Sequence, residues 1–198
     1  MQSSLVVMGV AGCGKSSLGA ALAATGTWAL LEGDDFHSAA SRTKMQAGVP
    51  LTDADRDGWL TELCTHLATH ASGHKPVQAQ ANPEANVRVI AQADAHMHSP
   101  VLGLVLTCSA LKRAYRERLR QAAPGLQFVF LKISEEKARE RVQSRGNAHF
   151  FAANLVHNQF TTLESPADEM GVLTLDAVLP LPQLVRQVQY WITHKETA

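Results

Sequence analysis

Eight residues constrain this chain more than any others: Gly9-Val10-Ala11-Gly12-Cys13-Gly14-Lys15-Ser16 fits GxxxxGK[ST] in full. The flanks agree with it. Ser4 to Met8 is a short apolar run that reads as a strand, and Lys15 to about Ala24 reads as a helix. Glycines let such a turn curl until its backbone N–H groups converge on an anion, and the helix start adds its positive dipole end. Lys15 is therefore expected on the β- and γ-phosphates of ATP, with the Ser16 hydroxyl on Mg²⁺. Gly9, Gly12, Cys13, Gly14 and Ser17 complete the expected nucleotide-binding set. Cys13 has two readings: a thiol made reactive by the helix end, or simply a small residue tolerated in the loop, the plainer of the two.

The rest of the chain alternates strand and helix, the pattern of an α/β fold with a mostly parallel sheet. Strands are expected at 28–31, 101–107, 128–132 and 172–175, giving five with the first. A helix from about His37 to Ala47 is stopped by Gly48, with Pro50 beyond. Thr52 and Asp55 form a start signal for the next helix, whose core face is Trp59, Leu60, Leu63 and Leu67. Ala71 to Ala81 turns polar and reads as a surface loop, and Asn82-Pro83-Glu84 opens a helix to about His96. Ser109 is placed to cap the helix after the third strand, and further helices are expected near 134–144 and 181–194. The whole chain, 1–198, reads as one domain, with an extended region at about 71–100.

Three clusters carry chemistry beside the glycine-rich turn. The first is Glu32-Gly33-Asp34-Asp35, at the end of the second strand. Ligands of doubly wound sheets bind at the carboxyl ends of strands. Transfer of a phosphoryl group to an alcohol needs a carboxylate near the acceptor. Asp34 is assigned as base or as ligand to a Mg²⁺-bound water, with Asp35 second or merely a helix cap. His37 is either a cap-region residue or a substrate contact. The second cluster is the basic helix from Lys112 to Arg120, where Lys112, Arg116 and Arg120 repeat at i, i+4. Like charges at that spacing cost about 0.2–0.5 kcal/mol each, so Lys112 and Arg116, at the active end, are read as anion contacts. Arg113 and Arg118 are read as solvated. The third is Arg141 and Arg145, on one helix face leading into the turn-like Gly146 to Phe151. Two guanidinium forks there suit a mobile lid, at about 145–153, that closes on ATP.

Composition removes other classes. Lys+Arg and Asp+Glu are both 18, so nothing marks the chain for nucleic acid or an anionic membrane; the basic helix alone favours a nucleic-acid binder. No apolar run reaches the ~18 residues of a membrane span. Three separated cysteines read as reduced thiols in a cytoplasmic setting. A purely regulatory nucleotide binder would not need Asp34 together with Lys15, Ser16 and the lid arginines.

Together these segments resemble the gluconokinase family of P-loop kinases. The residues that carry the resemblance are Gly9 to Ser17, Gly33 to His37, Lys44-Met45 with Gly48 and Pro50-Leu51, Asp53, Asp55-Arg56, Trp59-Leu60 and Cys108 to Lys112 with Tyr115-Arg116. Arg145, His149-Phe150, Gln159-Phe160 and Leu163-Glu164 with Pro166 extend it. The resemblance implies a three-layer α/β/α P-loop NTPase fold, like nucleoside-monophosphate and shikimate kinases, with a mobile lid. It implies ATP- and Mg²⁺-dependent phosphorylation of D-gluconate at its 6-hydroxyl, in a homodimer. Asp34, Asp35, His37, Lys44, Arg56, Lys112, Arg116 and His149 would then hold the acceptor, and Lys15, Asp34 and Arg145 would be catalytic. Another sugar acid or polyol, or shikimate, is the alternative acceptor. The chain departs from the family at Ser38 and Ser41, where proline and asparagine are usual, and by one extra residue before His149. The third strand ends without an aspartate, as in the family, so Mg²⁺ is expected to rely on Ser16, ATP and water.

Overall fold

The computed structural model describes residues 3–72, 103–144 and 154–194. The expected loop at 71–81 beyond Ser72, the helix at 82–96, Arg145, His149 and the lid up to residue 153 lie outside the described residues. Five parallel strands form one sheet: β1 (Ser3–Met8), β2 (Trp28–Glu32), β3 (Gly103–Thr107), β4 (Gln127–Lys132) and β5 (Val172–Asp176). Their order is β2-β3-β1-β4-β5. The chain leaves β1 first to one side and later to the other, so the crevice at the carboxyl end of β1 is a switch point where ligands bind.

Alternation along the strands builds two cores. Leu5 and Val7 of β1, Val105 of β3, and Val129 and Leu131 of β4 point to one face. There they meet Leu18 and Leu22 of α1 (Lys15–Ala23), Ala138 and Val142 of α5 (Glu135–Ser144) and Leu184 and Val188 of α7 (Leu181–His194). Val6, Met8, Leu104, Leu106, Phe128 and Phe130 point to the other. They pack on Trp59, Leu60, Leu63 and Leu67 of α3 (Asp53–Ala71) and on Tyr115 and Leu119 of α4 (Arg113–Ala122). Strands apolar on both faces are what a sheet covered by helices on both sides demands. Each of these enclosed leucines contributes about 1.5–3 kcal/mol.

Local signals explain most element ends. The Thr52 hydroxyl accepts from Asp55 N, and Asp55 Oδ2 accepts from Thr52 N at 2.9 Å, a closed capping box for α3. Gly48, at φ 71°, ends α2 (Ala39–Gln46). Two expectations are corrected. The region before α2 is not helix from His37: a 3-10 turn spans Gly33–Phe36, His37 is extended, and Ser38 is the cap, accepting from Ser41 N at 3.1 Å. Nor does Ser109 cap α4. Its first N–H, on Arg113, donates to the side chain of Glu164 from the far end of the chain.

Candidate active site

The glycine-rich turn joins β1 to α1. Its glycines Gly9, Gly12 and Gly14 hold φ values of 139°, 81° and 101°, which side chains resist. A Cβ on Gly12 would also stand 2.6 Å from the Ala138 carbonyl, so the turn packs tightly on α5. Lys15 donates through Nζ to the carbonyls of Gly9 and Val10, both at 3.1 Å, which tucks its ammonium across its own loop. Cys13 is buried and burial pushes its thiol pKa up, despite Lys15 and Arg141 nearby. The plainer reading of Cys13 is the one that fits: an enclosed, unreactive thiol. Ser17 is exposed on α1.

One cleft at the carboxyl end of the sheet is lined by Gly12, Gly14, Lys15, Ser16, Asp34, His37 and Arg56, along with residues of α6 (Leu155–Thr162). The tight turn after β2 delivers Asp34. A Cβ on Gly33 would sit 2.4 Å from the Thr107 carbonyl, so only glycine lets the chain turn this close to β3. Trp59 braces the turn by donating Nε1–H to the Gly33 carbonyl at 2.7 Å. The Trp59 ring stacks on His37 at 4.7 Å between centroids. His37 Nε2 lies 4.0 Å from Asp34 Oδ1. Burial lowers the His37 pKa, with the Asp34 charge opposing and Arg56 and Arg42 adding to the effect. At neutral pH it is an uncharged partner for hydroxyls. Arg56 donates to the Leu51 carbonyl at 2.6 Å and is the cation of the acceptor set that borders the cleft.

The other expected contacts stand elsewhere. Asp35 borders a separate groove with Ser41, Asp55 and Glu62, and its carbonyl accepts from Arg42 at 3.3 Å. Ser41 is buried, bonded to the Ser38 cap and to the Asp55 carbonyl, and borders that groove, not the cleft with Lys15. Lys44 pairs with Asp55 at 2.6 Å. Lys112 pairs with both oxygens of Asp53 at 2.8 Å, and the Tyr115 hydroxyl donates to the same carboxylate. Arg116 is 0% exposed. Its five N–H donors are matched by both oxygens of Glu169 and the carbonyls of Ala110, Leu111 and Glu164. The expectation that Arg116 binds an anion is corrected: no donor is left for one. Its work is structural, for it holds the loop after β3, where Ala110 sits at φ 44°. Arg141 donates to the Gly12 carbonyl at 3.5 Å and the Ala177 carbonyl at 3.0 Å, beside the turn.

Two residues beside the phosphate loop take roles that the sequence alone does not assign. Glu32 ends β2, and its Oε2 accepts from the Ser16 hydroxyl at 3.1 Å and from the Thr107 hydroxyl. Burial raises its pKa, the hydroxyls of Thr107 and Ser16 pull it back, and Asp34 and Asp35 raise it further. The sequence signal was an acid ending an apolar strand, but only the β2–β3 register puts it opposite Thr107. Gln159 of α6 accepts the Ala11 N–H at 2.6 Å. Ser16 and Glu32 give a hydroxyl and a carboxylate at the mouth of the phosphate loop, oxygen donors that suit Mg²⁺. No group of three His, Cys, Asp or Glu side chains able to hold a metal exists among the described residues. Mg²⁺ needs none, since it takes one or two carboxylates and completes its shell with phosphate and water.

A family model described as "AAA domain" matches residues 5–168. The gluconokinase of Gluconobacter oxydans (strain 621H) is 38% identical over 189 residues, covering 93% of this chain and 90% of that one. The thermoresistant gluconokinase of Escherichia coli (strain K12) is 34% identical over 181 residues, covering 91% and 87%. The crystal structure of a gluconokinase from Sinorhizobium meliloti 1021 superposes with a TM-score of 0.70 at 35% identity, over 98% of both chains. With the phosphate loop, the Asp34 turn and the cleft between them in place, these likenesses show that the chain belongs to the gluconokinase family of P-loop kinases.

Proposed function

We propose that this protein transfers the γ-phosphoryl group of ATP to the 6-hydroxyl of D-gluconate, giving 6-phospho-D-gluconate and ADP. One observation carries the reading: the phosphate loop and Asp34 line the same cleft, with His37 and Arg56 on its acceptor side. The loop's N–H groups and Lys15 hold the phosphates. Arg141, between Gly12 and Ala177, borders the nucleotide side. Asp34 orients the acceptor hydroxyl and takes its proton as the new O–P bond forms and the bond to the ADP oxygen breaks. His37 accepts or donates to the polyol, and Arg56 pairs with the carboxylate. Lys44 and Lys112 already hold Asp55 and Asp53 and lie outside the cleft lining, so the acceptor's carboxylate is left to Arg56. Ser16 and Glu32 are the residues to hold Mg²⁺, which when bound neutralises phosphate charge. Arg145 is assigned to the charge on the transferred phosphoryl group and His149 to the acceptor.

The assay is ADP release coupled to a dehydrogenase, run with gluconate, related aldonates and shikimate. Turnover with gluconate at least tenfold above the others is expected. Turnover with another acid and none with gluconate removes the acceptor. Lys15→Ala abolishes transfer. We further propose a homodimer in the cytoplasm; light scattering of the purified protein at a single-chain mass would remove the dimer. The described cysteines are all free, and no helix among the described residues is long and apolar enough to cross a membrane.

A further inference from the structure

Gln159 and Ala11 are 148 residues apart in sequence, yet they form a short hydrogen bond in the cleft. Ala11 is the third residue of the phosphate loop. A backbone N–H only donates, so this contact fixes the amide's orientation: Oε1 on Ala11, the NH₂ turned away from it. The side chain borders the same cleft as Lys15, Ser16, Asp34 and His37. Among the described residues the NH₂ group has no acceptor.

The helix that carries Gln159 is fixed at both ends. Near its start, Asn154 donates to the Gly48 carbonyl at 3.3 Å, and Leu155 packs with Met45 and Leu51 of the acceptor-side wall. Past its end, Glu164 N–H donates to the Leu111 carbonyl at 2.9 Å, and its carboxylate caps α4. A side chain held this way loses little freedom when it meets a ligand, which is what a positioning group requires.

We propose that Gln159 is a positioning residue for phosphoryl transfer. Its Oε1 fixes the Ala11 end of the phosphate loop, and its NH₂ donates to an oxygen of the phosphoryl group in flight, between the nucleotide and Asp34. Gln159 makes and breaks no covalent bond. A neutral amide serves here where a carboxylate does not. Glutamate would accept from Ala11 equally well, but it would turn a negative oxygen toward the phosphate. The proposal rests on the kinase reading above.

The test uses the full chain carrying Q159E or Q159M, with steady-state kinetics, binding of a non-hydrolysable ATP analogue and thermal melts. Q159E keeps the Ala11 contact, so its melting temperature stays near the parent's. Its kcat falls about 100-fold, as when one transition-state donor is lost, while KM for gluconate moves less than about threefold. Q159M loses both functions: kcat falls at least as far and analogue binding weakens. A folded Q159E or Q159M with kcat within about threefold of the parent overturns the proposal. Collapse of both variants overturns it too, making Gln159 a residue of folding alone. If the parent turns over neither gluconate nor any of the other acids, the kinase reading fails instead.

Discussion

Arg116 Nη2 lies 2.6 Å from Glu169 Oε1, and Nε stands 3.0 and 3.1 Å from the two oxygens of the same carboxylate. The guanidinium is wholly enclosed, Glu169 is 10% exposed, and Arg120 reaches the carboxylate from its other side at 2.8 Å. Burial on its own would raise the Glu169 pKa, but the hydrogen bonds from Arg116 and Arg120 bring it below the ordinary value. Glu169→Ala leaves a buried charge without its partner and is expected to destabilise by about 3–5 kcal/mol, read from urea unfolding. Arg116→Lys fails to rescue, because one ammonium cannot replace a five-donor fork. Loss of less than about 1 kcal/mol in either variant contradicts the buried pair.

Glu32 sets stability against activity. Its folded pKa is raised above 4.5, chiefly by burial, so the fold favours the protonated form and the ionised form costs stability. That stability is complete below 4.5 and is lost as pH rises through the folded pKa. Both hydroxyl contacts fall on one oxygen, Oε2, so glutamine can keep them. Glu32→Gln is expected to melt higher than the parent at neutral pH. Its half-saturating Mg²⁺ concentration rises, or its kcat falls, by about 10–100-fold. A variant that melts lower with unchanged Mg²⁺ dependence speaks against Glu32 at the metal.

Asp34 and Asp35 are neighbours with different outlooks. Asp34 borders the cleft and Asp35 the groove beside it. Asp34→Asn is expected to lower kcat by about 10²–10⁴-fold with ATP affinity kept. Asp35→Asn stays within about threefold, on the scale where a factor of ten corresponds to 1.36 kcal/mol. Equal losses in the two variants, measured by the same ADP-release assay, dissolve the distinction.

His37 makes stability depend on acid. Its folded pKa lies below 6.5, chiefly because it is buried, so the unfolded chain binds the proton first as pH falls. Its contribution is complete above 6.5 and is lost between 6.5 and the folded pKa. His37 Nδ1 is also buried without a partner. His37→Phe keeps an aromatic face on Trp59 and removes both costs. Melts at about pH 7.5 and 5.5 are expected to show a smaller acid loss for the variant than for the parent. Equal losses place the acid sensitivity elsewhere, for instance on His66 or His70, whose pKa values burial also lowers.

Local signals told the truth where the energy is local. The phosphate turn, the Thr52–Asp55 box, the Gly48 stop and the Trp59-Leu60-Leu63-Leu67 face are each written within a few consecutive residues. The cationic row of α4 misled because charge repeat says nothing about partners. Lys112 found Asp53, and Arg116 found Glu169, across gaps of 59 and 53 residues. Ser109 misled for the same reason: a local cap lost to Glu164, 51 residues beyond Arg113.

The sequence by itself determined that a phosphate cradle would form between an apolar strand and a helix, because glycine conformations and helix dipoles act over neighbouring residues. It also determined the two-sided core, since period-two burial is a property of each strand. Only the tertiary structure decided which charged groups face the cleft. The parallel register set Glu32 beside Ser16, the fold closed Arg116 into its own wall, and α6 brought Gln159 to Ala11. Such pairings depend on where distant segments meet, and that is fixed by packing the whole chain at once.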